Sequence, residues 1–225
     1  MPRESSPRAA KPKSALAFTR KLLAWFDRHG RDLPWRRTRD PYRVLVSEFM
    51  LQQTQVSRVT EYYPRFLERF PTVEHLARAK RSAVMEQWDG LGYYARARNL
   101  HALAKSVAGT GAIPHDPAEL IKLPGVGRYT AGAVATFAYE QPVAAVDTNV
   151  ARVIRRAFVG GTGKRVWAIA AVLVPKNGKR AWRFNQAIME LGALVCIARK
   201  PKCPDCPVKG DCRTGRRLAS KDRRG

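Results

Sequence analysis

The chain has 225 residues, and 42 Lys and Arg against 18 Asp and Glu give a net charge of +24. With 45% hydrophobic residues it is not disordered as a whole, its length provides a real core, and its field calls for a polyanion: nucleic acid first, an anionic membrane surface second. No apolar run approaches the ~18 residues of a membrane span, the N-terminus lacks a secretory signal, and four Cys confined to residues 196–212 are no disulfide framework.

Residues 1–14 read as a flexible basic tail. Apolar residues at helical spacing (Leu16, Leu22, Leu23, Trp25, Phe26) predict a helix over 15–29, stopped at Gly30. Asp40 followed by Pro41 is an N-cap with proline at the first helical position. That helix is expected to run to about Phe66, broken near 54–58 or at Pro64. Further helices are expected over 71–79, 82–88, 95–109, 117–122, 128–139, 149–158, 167–174 and 184–194, followed by the Cys cluster and a basic tail. No segment alternates strictly and none repeats, so the fold class is all-α.

Leu123-Pro124-Gly125-Val126-Gly127 lies between two helical patterns. Glycine permits positive φ and close backbone approach, and the amides opening the next helix attract anions. This predicts a helix-hairpin-helix that holds a DNA phosphate; an ordinary corner with glycine caps is the plain alternative. Cys196, Cys203, Cys206 and Cys212 follow the spacing C-x6-C-x2-C-x5-C. Four thiolates so close can converge on one metal centre, and spacing alone leaves zinc and iron–sulfur both open. Lys and Arg around them would touch phosphate. Two carboxylates stand out. Glu48 lies on an apolar helix, where a carboxyl holds its proton to higher pH. Asp147 sits at the N-cap of the helix beginning at Asn149, where amide donors are expected to keep it ionised. On local grounds each also reads as a buried ion-pair partner or a plain cap.

Together these features resemble the helix-hairpin-helix DNA glycosylases that carry an iron–sulfur cluster. Ser47–Val56, Gly90–Leu100 and Phe184–Cys196 resemble their adenine-excising, MutY-type branch, and the likeness covers roughly residues 20–215. The resemblance implies two helical domains with a DNA-binding cleft between them: a six-helix barrel with the hairpin over 35–138, and a cluster domain joining 15–34 to 139–225. It implies a [4Fe–4S] cluster on the four Cys, usually structural. It makes Glu48 the acid that protonates adenine and then the base for water, and Asp147, with Asn149 beside it, the group that stabilises the sugar cation. Tyr129 stands where strand-cutting relatives carry a Schiff-base lysine, which implies a monofunctional glycosylase. Gln52, Gln53 and Tyr93 match wedge residues that fill the gap left by the extruded base, and Gly125, Gly127 and Arg128 the phosphate grip. Arg31, Leu33, Trp35, Arg36, Val56 and Glu190 match the base pocket.

Two departures bear on specificity. Thr148 replaces the usual Gly, and the chain stops at Gly225, so an 8-oxoguanine-reading C-terminal domain is expected to be missing. A thymine/uracil mismatch glycosylase is therefore the second reading and a non-catalytic DNA binder the third. Gln52-Gln53 and the Arg31/Glu190 pair favour adenine. The expected partner is double-stranded DNA containing a mismatch, with no membrane, and the protein is expected to be a monomer in the cytoplasm, at the nucleoid.

Overall fold

The computed structural model describes residues 12, 14–109, 111–159 and 165–221, with side chains to 218. Most of the expected basic tail over 1–14 lies outside the described residues. Those described form α-helices joined by turns and contain no strand. The helices are α1 Ala15–His29, α2 Pro41–Leu51, α3 Val56–Arg69, α4 Val73–Arg78, α5 Arg81–Gln87, α6 Ala95–Ala108, α7 Pro117–Leu120, α8 Arg128–Phe137, α9 Thr148–Ile154, α10 Val166–Leu173, α11 Gly178–Leu194 and α12 Arg213–Lys221. A π-helical turn, Arg155–Val159, continues α9.

Local chemistry sets several boundaries. The Asp40 carboxylate accepts from the amides of Tyr42 at 2.8 Å and Arg43 at 3.3 Å, with Pro41 at the first position, so α2 starts where the sequence predicts. The break after α2 falls at 52–55, slightly earlier than expected. Pro64 breaks nothing: it faces solvent inside α3, whose other face buries Val59, Tyr63 and Phe66. The packing of that stripe outweighs the lost hydrogen bond. α11 starts six residues before Phe184 because Asn177 caps it, accepting from the Arg180 amide at 3.0 Å. The residues read as a basic tail form α12. Leu16, counted with the apolar face of α1, is 73% exposed.

The chain divides into two compact units, one over Asp32–Glu140 and the other joining the chain up to Arg31 to the chain from Gln141 onward. In the continuous unit, α6 packs on α2, α4 and α5, and α2 also packs on α3 and α8. Phe66 meets Trp88 edge-on at 5.8 Å, in a unit whose core also buries Leu45, Phe49, Leu100 and Leu103. In the discontinuous unit, α11 packs on α1 and α9. Phe18, Leu22, Ile154, Phe184, Ile188 and Leu191 form its centre. Burying a large apolar side chain contributes about 1.5–3 kcal/mol, so each unit has its own driving force.

Candidate active site

Glu48 lies within α2, where every residue from Val44 to Met50 is buried. A helix apolar all round is a core element, and Glu48, 5% exposed, is its carboxylate. The next element along the chain, Gln52–Gln55, is a sharp turn in which Gln53 takes φ 58°. Its counterpart is the loop ending at Tyr93, a residue with φ 47° that is 61% exposed. Gln53, Thr54, Gln55 and Arg58 line an open groove of about 560 Å³ together with Gly90 and Leu91. The three expected wedge residues thus sit on two adjoining loops of one unit. Arg96, to which the sequence motifs assign no role, holds those loops through its guanidinium; its Nη1 donates to the Gln52 carbonyl at 2.6 Å and its Nη2 to the Gly92 carbonyl at 3.0 Å.

In the hairpin, only one of the two glycines is required by the fold. Gly125 has φ 74°, and a Cβ there would lie 2.7 Å from Asn99 Cβ and 2.8 Å from the Phe49 ring. Gly127 has φ −90°, and a Cβ there would meet nothing within 4 Å. It is the N-cap of α8 and offers no side chain to it, Arg128 is exposed beside it, and Tyr129 is half-buried one residue on.

The other unit holds Asp147. Its Oδ1 accepts from the Val150 amide at 2.6 Å and its Oδ2 from Asn149 Nδ2 at 3.0 Å. The cap is as expected, but its electrostatic consequence is not. Burial raises the Asp147 pKa above the ordinary value of 3.8, outweighing the hydrogen bonds that pull it down. Asn149 Oδ1 accepts in turn from Arg152 at 2.6 Å, and Arg152 Nε donates to the Cys196 carbonyl at 2.7 Å. Gly192 of α11 lets α9 come this close: a Cβ there would sit 2.7 Å from Asn149 Cβ.

The expected base-pocket residues divide between the units. Glu190, 1% exposed on α11, accepts from Arg31 through its backbone amide at 3.0 Å, its Nε at 2.7 Å and its Nη2 at 3.0 Å. The bidentate fork fixes the carboxylate plane. Leu33 and Trp35 are buried in the continuous unit, with Trp35 edge-on to Tyr63 at 5.6 Å, whereas Arg36 and Val56 are half-buried.

The four Cys are half-buried and line one cavity of about 30 Å³ with Arg156 and Lys202. Burial pushes the Cys206 thiol up to about 11, and Cys203 is also raised. Arg156 binds the carbonyls of Ile197 and Ala198, each at 2.8 Å, and approaches Cys196 Sγ at 3.4 Å. Among the described residues, no three His, Cys, Asp or Glu side chains converge tightly enough to hold one ion. The thiols ring a space instead of meeting at a point. Arg152 and Arg156, like Arg96, carry no signal in the sequence, because nothing in a chain with 42 cations marks which of them turn inward.

The chain belongs to the HhH-GPD superfamily of base excision DNA repair proteins, whose pattern matches residues 46–175. Within it, the adenine DNA glycosylase of Rattus norvegicus is 44% identical over 220 residues, covering 90% of this chain and 42% of the rat protein. That of Mycolicibacterium smegmatis is 46% identical over 195 residues, covering 83% of this chain and 66% of its own length. A thermostable thymine-DNA glycosylase superimposes with TM-score 0.84 at 32% identity, covering 91% of this chain and 98% of that one. Endonuclease III in a trapped covalent DNA complex gives 0.78 at 26%, covering 94% and 100%. The chain thus spans between two fifths and two thirds of the two adenine glycosylases. Among the described residues, no helix is long and apolar enough to cross a membrane.

Proposed function

We propose that the protein is a monofunctional DNA glycosylase that extrudes adenine mispaired with guanine or 8-oxoguanine and hydrolyses its N-glycosidic bond. The observation that carries this is two carboxylates in different settings, the buried Glu48 and the half-buried Asp147, in a chain 44–46% identical to adenine DNA glycosylases. Departure of the base needs a proton on it and leaves an oxocarbenium-like sugar. Glu48 supplies the proton and then takes one from the attacking water. Asp147 faces the developing cation. A carboxylate penalised by desolvation gains more than a solvated one when a positive charge forms beside it, so its stabilisation falls on the transition state. Asn149 orients it. Arg31 and Glu190 present donors and an acceptor to the base, and Gln52, Gln53 and Tyr93 fill the hole left in the duplex. Tyr129 carries no amine for a Schiff base, so the product is an abasic site.

Cys196, Cys203, Cys206 and Cys212 would hold a [4Fe–4S] cluster. Four Cys thiolates lining one cavity are a donor set that such a cluster would take. When bound, the cluster would order the Lys- and Arg-rich loop that meets the backbone of the DNA. The protein's own part is to supply the thiols and, through Arg156, a cation and a fixed loop around them.

Duplexes bearing A·8-oxoG, A·G, T·G or U·G, incubated with the protein and then with alkali, test the reading. Cuts at A support it. Cuts at T or U favour the thymine alternative, which the structural neighbour keeps alive. No cuts leave a DNA-binding protein. Glu48→Gln is expected to lower excision by ~10²–10⁴-fold while duplex binding survives; unchanged turnover removes Glu48 from the mechanism.

A further inference from the structure

We propose that Arg96 is a positioning residue: its single buried guanidinium locks the Gln52–Gln53 loop to the Gly90–Tyr93 loop and so sets the wedge as one rigid piece. The inference rests on the wedge role proposed above and adds a residue to it.

Arg96 is 7% exposed, at the second position of α6. Nη1 donates to the carbonyls of Phe49 at 3.0 Å, Met50 at 2.7 Å and Gln52 at 2.6 Å. Nη2 donates to those of Leu91 at 3.1 Å and Gly92 at 3.0 Å. One nitrogen thus serves the end of α2 and the other serves the second loop. α2 ends without a glycine cap, leaving terminal carbonyls that need donors, and the negative end of its dipole receives the cation. The same guanidinium lies 5.5 Å from the Tyr93 ring centre and 5.4 Å from that of Trp88.

Two further observations say that this is more than packing. Among the described residues, no carboxylate pairs with Arg96, and burial lowers its pKa. An isolated buried cation is costly, and an apolar side chain would fill the space more cheaply. Second, Gln53 and Tyr93 both hold left-handed backbone that L side chains disfavour. Such conformations persist only where the surroundings over-determine them. The Arg96 fork provides that constraint, holding the carbonyl just before each strained residue, Gln52 and Gly92. A lysine would keep the charge but place all its donors at one point, so it could not span both loops.

Arg96→Lys in the full chain is the test, with Arg96→Gln beside it. Hydrogen exchange of the unbound protein is expected to rise in 50–54 and 90–94 together and to stay unchanged elsewhere. With 2-aminopurine in place of the target adenine, the fluorescence increase on extrusion is expected to be lost. Single-turnover excision is expected to fall ~10–100-fold, the scale of a small misplacement of reacting groups, while affinity for a fully paired duplex holds. Exchange rising throughout the unit reduces Arg96 to a fold-maintaining residue and overturns the proposal, as does wild-type extrusion in Arg96→Lys. If the wild-type protein neither excises adenine nor brightens 2-aminopurine, the glycosylase reading has failed, and the exchange of the two loops alone decides whether the clamp exists.

Discussion

Replacing each hairpin glycine with alanine separates holding the fold from holding DNA. At Gly125 an added methyl meets Asn99 Cβ at 2.7 Å and the Phe49 ring at 2.8 Å, on a backbone with φ 74°. The left-handed conformation costs ~1–2 kcal/mol and the overlap ~1–3 kcal/mol, since Phe49 sits in the packed core of its unit. Gly125→Ala is therefore expected to destabilise by ~2–5 kcal/mol, or ~4–20 °C in Tm for a chain of this size. At Gly127 the methyl meets nothing and φ is −90°, so stability is expected to hold or rise by ~0.4–1 kcal/mol. What Gly127→Ala changes is how closely a phosphate can approach the exposed backbone at the start of α8. Affinity for duplex DNA is expected to fall about tenfold, or ~1.4 kcal/mol. Thermal melts with fluorescence-anisotropy titrations on both variants read the two effects. Equal loss of Tm in both would refute the local argument. Wild-type affinity in Gly127→Ala would remove the hairpin from the DNA interface.

Other expectations concern the charged groups. Because burial raises the Asp147 pKa, the folded state is penalised wherever Asp147 is ionised. Stability tied to this group is greatest at low pH and is lost as pH rises through its raised pKa. Asp147→Asn, which can still cap α9, is expected to match or exceed wild-type Tm near neutral pH while excision is lost, with any gain gone below pH 3.8; a Tm deficit independent of pH contradicts this. Arg31→Ala strips Glu190 of its fork inside the unit and is expected to cost ~2–4 kcal/mol in urea unfolding, discounted because Arg31 is one-third exposed; a loss under ~0.5 kcal/mol argues that the pair does not matter. Duplex affinity is expected to fall ~10³-fold or more between roughly 50 and 200 mM salt, and a flat response would deny the phosphate grip.

Elements whose boundaries rest on local chemistry are apparent from sequence alone. α1 has its predicted bounds because Leu22, Leu23 and Trp25 recur at helical spacing before Gly30, and α2 begins at Asp40-Pro41 because cap and proline stand side by side. α11 is readable only from Phe184, since Gly178–Arg183 is a basic stretch with little periodicity, and its start depends on one Asn. α12 shows a lone Leu among arginines and reads as a tail. The same limit applies at the site. The Asp147 cap is visible as a pattern; how deeply the fold buries it is not, and burial sets the direction of its pKa. The inward cations are harder still. Arg96 answers carbonyls forty-six residues away at Met50, and Arg152 answers one forty-four away at Cys196. Such pairings arise only when helices end near each other in space.

The discontinuous unit also imposes an order of events during synthesis. α1 leaves the ribosome with an apolar stripe whose partner, α11, follows long after; the ion pair of Asp27 with Arg183 joins residues 156 apart. At translation rates of ~5–20 residues per second, that stripe waits about 8–30 s for its cover. The intervening 32–140 segment has its own core and can complete its folding in that interval. A nascent chain truncated before Gly178 would carry one finished unit together with α1, α9 and α10 still lacking the helix they pack around, the form most prone to aggregate and most in need of a chaperone.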